Sequence, residues 1–153
     1  MFKRVIVPLD GSPLAESIIP FLLQIAGPLD LEILLLRVLQ PIPPEVIEGS
    51  RYVVIEDVEK RAAEAREYLA PIAARLKAAG VRVSLDVRRG EPVVEILAGA
   101  REVGADLIAM TTHGRSGLGR LLFGSVAEAV LRQAEVPVFL MRFTKEAAAV
   151  AAA

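Results

Sequence analysis

The sequence predicts an α/β fold: an open, doubly wound, five-stranded parallel sheet in the strand order 3-2-1-4-5, with helices on both faces. Short apolar runs alternate with longer segments of helical periodicity along the chain, as expected when strands and right-handed crossover helices follow one another. The first and fourth apolar runs each lead into a polar turn that contains glycine. The chosen strand order places these two turns side by side at the switch point, where ligands of α/β proteins bind.

The strands differ in their patterns. Residues 5–7 and 31–39 are continuous apolar runs, which indicates central strands buried on both faces. Residues 81–87 alternate apolar and polar side chains, which indicates an edge strand with one wet face. In chain order the predicted elements are a strand at 5–7, a helix at 13–26, a strand at 31–39, a helix whose apolar stripe spans 54–76, a strand at 81–87, a helix at 92–104, a strand at 107–110, a helix at 125–134 and a strand at 138–143.

The helices carry local start and stop signals. Ser12 is suited to cap the first helix and Pro13 to occupy its first turn, while Pro20 should bend it. A proline-rich excursion over residues 41–51 leads into the long helix, which Pro71 should kink.

Composition limits the possible functions. The 153 residues are 54% hydrophobic, and we expect one domain over residues 1–143 followed by a disordered alanine-rich tail at 144–153. The net charge of −1 gives no basic field, which argues against nucleic acid and anionic membranes as partners. The absence of cysteine, the single histidine and the lack of a leader or spanning segment favour a cytoplasmic protein without a multi-histidine metal centre.

The loop between the fourth strand and the helix at Ser125 has the composition of a phosphate-binding loop. Its glycines allow positive φ and close approach of backbone amides to an anion, and the helix start adds free N–H donors. Ser125 and Glu128 also fit a capping box, which would be a purely structural role. The neighbouring strand and the arginines of the loop favour an anion site that includes Gly114, Gly124 and Ser125. Gly117 and Gly119 either belong to it or only supply loop flexibility, and Arg115 and Arg120 either screen the phosphates or stay solvated.

These motifs together resemble the universal stress protein family, in its ATP-binding subclass, over nearly the whole chain. The motif of that subclass is Gly-x-x-Gly, nine residues, then Gly-Ser or Gly-Thr, which here covers residues 111–125. Supporting segments are residues 5–12, 34–38, 90–92 and 124–128. Thr111 replaces the first motif glycine, so its side chain either crowds the nucleotide or adds a hydroxyl beside it.

The resemblance assigns roles to individual residues. It implies that the Asp10 carboxylate reaches the ribose or a metal-water shell, although Asp10 also suits a simple turn. It implies that the Val38 backbone reads the adenine edge and that Ser125 and Val126 contact phosphate. His113 lacks an identifiable partner for catalysis, so we assign no catalytic residue. The expected nucleotide-binding residues are Pro8, Leu9, Asp10, Val38, Thr111, His113, Gly114, Arg115, Gly117, Gly124, Ser125 and Val126.

The resulting hypothesis is a regulatory, stress-response module that binds ATP, with Mg²⁺ or Mn²⁺ carried on the phosphates, and that signals to an unidentified protein partner. The apolar strand at 138–143 contains neither proline nor charge up to Met141, so we expect it to pair with a second copy in a homodimer. Alternatively, a helix or the tail covers this strand. Two functional alternatives stay open: a slow ATPase or autophosphorylating protein, and a dimeric stress protein that binds no nucleotide.

Overall fold

A computed structural model describes residues 1–41, 51–112 and 124–142, with the backbone alone described for residues 51–57. The loop at 113–123, the excursion at 42–50 and the tail from residue 143 lie outside this range. In chain order the described elements are β1 (Arg4–Pro8), α1 (Pro13–Glu16), α2 (Ile19–Ala26), β2 (Glu32–Leu39), α3 (Arg51–Ala78), β3 (Arg82–Arg89), α4 (Pro92–Glu102), β4 (Leu107–Thr112), α5 (Ser125–Gln133) and β5 (Val138–Arg142).

The five strands form one parallel sheet in the order β3-β2-β1-β4-β5, which confirms the predicted topology. β1 lies at the centre, where Val5 is in register with Ile33 of β2 and with Leu107 of β4. Val5, Ile6 and Val7 are fully buried, as expected for a strand covered on both faces. The carboxyl ends of β1 and β4 therefore lie next to each other, which positions the site.

Helices cover both faces of the sheet. On one face, α1, α2 and α3 pack on side chains such as Ile33 and Leu35, and the α3 stripe buries Leu69 and Leu76 completely. On the other face, α4 and α5 pack on Ile6, Leu36 and Ile108. The predicted stripe of α3 is confirmed from residue 62 onward, and Gly80 (φ +83°) follows the end of the helix.

The first predicted helix is two helices instead. Ser12 caps α1 by accepting a hydrogen bond from the Ala15 amide at 3.1 Å, as predicted, but α1 ends at Glu16. Pro20 lacks an N–H with which to continue the helical hydrogen bonds, so a new helix begins at Ile19 with the proline in its first turn. By contrast, Pro71 lies inside the continuous helix α3.

β4 is longer than predicted and includes Thr111 and Thr112, which are in register with Met141 and Arg142 of β5. Both are β-branched residues that suit a strand, although the sequence interpretation placed them in the glycine loop. The start of the predicted loop motif, including Thr111, is therefore part of a strand.

Candidate functional site

A cavity of about 460 Å³ lies at the carboxyl edge of the sheet, where β1 and β4 diverge toward different helices. This is the switch point at which doubly wound proteins bind ligands. Its walls come from both helical layers, so only the complete fold forms it. The lining residues are Pro8, Leu9, Asp10, Ser12, Leu14, Ala15, Leu36, Arg37, Val38, Leu39, Gln40, Arg61, Pro92, Ile96, Met110, Thr111, Gly124, Ser125, Val126 and Ala127.

The first turn of α5 forms one wall of the cavity. Gly124 is the N-cap and makes no side-chain capping bond, while its carbonyl accepts the first helical hydrogen bond from the Glu128 amide at 3.0 Å. The N–H groups of the first turn lack intrahelical acceptors, because no helical residue precedes them. The capping box predicted for Ser125 and Glu128 is wrong, because Ser125 is the first helical residue and not the cap.

Thr111 places a buried hydroxyl at the same wall. Its Oγ1 atom is buried and has no hydrogen-bond partner among the described residues. A buried hydroxyl without a partner costs roughly 1–3 kcal/mol relative to a satisfied one. Thr111 lines the cavity and therefore carries a polar atom that has no partner among the described residues.

The turn after β1 forms the opposite wall. Asp10 is exposed, and its Oδ1 atom accepts a hydrogen bond from the Ser12 amide at 2.9 Å. Partial burial raises the pKa of the Asp10 carboxyl, but hydrogen bonding from Ser12 and the charge of Arg37 outweigh it, so the pKa lies below its usual value. The turn thus presents a carboxylate that is ionised at neutral pH.

Sequence reasoning missed two cationic side chains on this wall. Arg37 of β2 and Arg61 of α3 both line the cavity. The guanidinium carbon of Arg37 lies 5.7 Å from the centroid of the Tyr68 ring, within the range of a cation–π interaction. A charged residue near the end of an otherwise apolar strand was the available signal for Arg37, since a parallel strand offers polar side chains to solvent or ligand at its carboxyl end.

Arg88 has a structural role where β3 meets α4. Its Nε atom donates to Glu95 at 2.8 Å, and its two terminal nitrogens donate to Glu102 at 2.7 and 2.9 Å. These bonds attach α4 to β3. Arg89 is exposed and borders a small cavity of about 40 Å³, which it shares with Arg61.

Every expected nucleotide-binding residue that the structure describes lines the main cavity. The remaining ones, His113, Gly114, Arg115 and Gly117, lie outside the described residues. Within the described ranges no group of three or more histidine, cysteine or acidic side chains is arranged to hold a metal ion. A search of the same ranges finds no helix with the length and apolar character that a membrane crossing requires.

The fold and the cavity define the class of protein: a doubly wound α/β protein with a ligand-sized cavity at the switch point of its sheet. Comparison with known proteins refines this class. The model of the universal stress protein family matches residues 1–142, and the chain belongs to that family.

Individual relatives agree with this assignment. Universal stress protein MJ0531 of Methanocaldococcus jannaschii is 31% identical over 148 residues, which cover 95% of this chain and 85% of the relative. The solved structure of MJ0577, from the same organism, superposes with a TM-score of 0.81 at 28% identity and covers 95% of this chain and 99% of the other. A universal stress protein solved in complex with cAMP superposes with a TM-score of 0.68 at 26% identity, covering 92% of this chain and 97% of the other.

Proposed function

We propose that this protein binds an adenine nucleotide, with ATP as the preferred ligand, in the switch-point cavity, and that it acts as a regulatory stress-response module and not as an enzyme. The observation that carries the proposal is the first turn of α5, whose Gly124 cap leaves the helix N-terminus open toward the cavity. Backbone N–H groups and the helix dipole favour a phosphate there. The cAMP complex of a relative supports an adenine nucleotide as the ligand.

In this proposal each wall of the cavity binds a different part of the nucleotide. The amides of Ser125 and Val126 and the Ser125 hydroxyl donate to phosphate, and Thr111 lies beside the ligand. The ionised Asp10 carboxylate accepts hydrogen bonds from ribose hydroxyls. The Val38 backbone reads the adenine edge, with Pro8 and Leu9 beside the base. Mg²⁺ or Mn²⁺ is carried by the phosphates.

We further propose that the protein is a homodimer that pairs through β5, and that nucleotide occupancy changes a surface that a regulatory protein partner recognises. Val138, Phe139, Leu140 and Met141 are half-buried although β4 is the only strand that pairs with β5 within the described residues. Such an apolar edge is suited to strand pairing with a second copy.

Calorimetric titration tests nucleotide binding. Protein freed of carried-over ligand is titrated with Mg-ATP and then with AMP, and we expect saturable binding that is tighter for ATP. Gly124→Val should weaken ATP binding more than about tenfold, because the branched side chain blocks the amides and each charge-assisted bond is worth about tenfold or more. Gly124 has φ −59° and ψ 148°, which valine adopts readily, so the variant should fold.

Gly27→Val is the matched control. Gly27 follows α2 with φ −62°, and an added Cβ meets no atom within 4 Å, so ATP affinity should stay at the wild-type value. If Gly124→Val binds ATP as tightly as the wild type does, phosphate does not bind at the N-terminus of α5. If folded, dimeric wild-type protein binds neither nucleotide, the proposal fails in favour of a stress protein that acts through contacts alone. Rapid ATP turnover during the titration would contradict the non-enzymatic role.

A further inference from the structure

We propose that Arg37 forms a second anion subsite in the cavity and that the protein therefore prefers adenosine nucleotides that carry an additional phosphate on the 2′ or 3′ hydroxyl of the ribose. This inference rests on the proposed function, because it takes the position of the ribose from Asp10. The additional ligand group is the ribose phosphate, which side chains of β2, α1 and α3 select.

Packing holds the Arg37 guanidinium in place. One side lies over the Tyr68 ring at 5.7 Å. The other side lies against Gly11, where an added Cβ would come within 2.9 Å of Nη1. Burial, together with the nearby Glu16 carboxylate, raises the pKa of the Tyr68 phenol, so the ring beneath the guanidinium stays neutral. A positioned guanidinium loses little side-chain entropy when it binds an anion.

The hydrogen-bonding capacity of Arg37 is unused by the described residues. A guanidinium has five N–H donors, and Arg88 directs its donors to three carboxylates at 3.4 Å or less. Arg37 makes neither a hydrogen bond nor an ion pair with any side chain or backbone group in the described ranges. Its donors border the cavity and are available to a ligand.

The position of Arg37 next to the Asp10–Gly11 turn decides which part of the ligand it meets. Its Nη1 atom lies against Gly11, and its charge acts on the Asp10 carboxylate. In dinucleotide-binding folds a carboxylate recognises a free ribose hydroxyl, whereas an arginine nearby accommodates a ribose phosphate. A guanidinium beside the proposed ribose acceptor therefore matches a phosphate attached to the ribose, away from the 5′ phosphate at α5.

Arg61 adds a second positive charge to the lining of the cavity. It projects from α3, lines the main cavity and also borders the adjoining small cavity with Arg89. Two cationic side chains outnumber the single Asp10 carboxylate among the charged groups that line the main cavity. The charged groups that line the cavity are therefore positive in sum, which favours an anionic ligand.

Calorimetry with three probes tests the subsite: AMP, adenosine 2′,5′-bisphosphate and adenosine 3′,5′-bisphosphate, at one fixed ionic strength. We expect at least one bisphosphate to bind about tenfold more tightly than AMP, as one charge-assisted, bidentate contact provides. Arg37→Gln should abolish this gain, so that the bisphosphates bind to the variant no more tightly than AMP does. Arg37→Lys should retain part of the gain, since lysine keeps the charge but loses the bidentate geometry.

Arg66→Gln is the matched control, because Arg66 lies on the same helix as Arg61 but is exposed and does not line the cavity. It should keep the wild-type ratio between bisphosphate and AMP. Bisphosphates that bind no more tightly than AMP would overturn the subsite and leave the proposed function standing. A gain that survives in folded Arg37→Gln would likewise overturn it. If no adenosine nucleotide binds, AMP included, the proposed function itself fails.

Discussion

β3 and β5 are both edge strands of the same sheet, yet their side chains differ in kind. β3 reads Arg82-Val-Ser-Leu-Asp-Val-Arg-Arg89; four of its eight residues are exposed and none is fully buried. Two of its arginines form ion pairs, Arg82 with Asp30 and Arg88 with Glu95 and Glu102. β5 reads Val138-Phe-Leu-Met-Arg142, and its first four residues are half-buried and apolar.

The difference indicates which edge is available for assembly. Charged side chains along an edge strand oppose pairing with a second sheet, because pairing would strip their water. An apolar edge with unpaired backbone groups favours pairing. The Phe139 ring stacks on Phe21 at a centroid distance of 5.0 Å, so β5 is also anchored to the layer formed by α2. The molecule therefore combines a protected edge at β3 with an edge at β5 that is suited to a partner.

The largest expected effect follows from placing a charge on the apolar edge. Leu140→Lys should raise the dissociation constant of the proposed dimer by more than about 100-fold, because two leucines per dimer each lose roughly 1.5 kcal/mol of burial. Sedimentation velocity over a concentration series measures the change, with thermal melting as the check that the variant is folded.

The same substitution on the other edge is its control. Leu85 lies in the middle of β3 and is 38% exposed, so Leu85→Lys should leave the oligomeric state unchanged. Dissociation caused by Leu85→Lys, or a folded Leu140→Lys variant that stays dimeric, would reverse the assignment of the two edges.

Both edges also show how far the sequence could predict the fold. Alternation at 81–87 and the apolar run at 138–141 were sufficient to assign two strands of the sheet, since these patterns depend on local burial. Association through the second of them stays a prediction. The break between α1 and α2 was not predicted, because Pro20 is compatible with either a bent helix or a new helix start. Tertiary packing decides between the two.

The cavity-lining residues that follow the ends of strands could be predicted from the sequence. Those that tertiary packing brings together from distant parts of the chain could not. Asp10, Val38, Thr111 and Ser125 were expected because they match a motif at the ends of β1, β2 and β4 and the start of α5. Arg61 was missed because only the register of α3 on the sheet brings it to the cavity. The sequence alone does not indicate the role of Arg88, since its carboxylate partners lie 7 and 14 residues further along the chain.

The next effect concerns the ion pairs that hold β3 against α4. The side chain of Arg88 is 18% exposed and that of its partner Glu95 is 21% exposed. Arg88→Met should lower the free energy of unfolding by about 2 kcal/mol, because it leaves Glu95 partly buried without a partner. This loss lies between those expected when a buried or an exposed ion pair is broken. Chemical denaturation measures the change.

Arg82→Met is the matched control on the same strand. Arg82 Nη2 lies 3.3 Å from Asp30 Oδ1, and the two side chains are 61% and 91% exposed. Arg82→Met should therefore lower the free energy of unfolding by less than about 0.5 kcal/mol. If both variants lose the same free energy of unfolding, the ion pairs of Arg88 contribute no more than an exposed surface pair does.

The smallest effect depends on pH and separates the two carboxylate partners of Arg88. Hydrogen bonds from Arg88 lower the pKa of the Glu102 carboxyl in the folded protein. A lowered folded pKa contributes stability that is fully present above the unfolded value, near 4.3, and that is lost as pH falls through the folded pKa. Glu102→Gln should therefore have a slightly lower Tm than the wild type at neutral pH. The decrease should be smaller than in Arg88→Met, since the Glu102 side chain is 61% exposed and its charge is screened. The difference in Tm should narrow on acidification and close below the folded pKa, because glutamine does not titrate. A difference that stays constant from pH 7 to about pH 3 would mean that packing, and not the charge of Glu102, attaches α4 to the β3 edge.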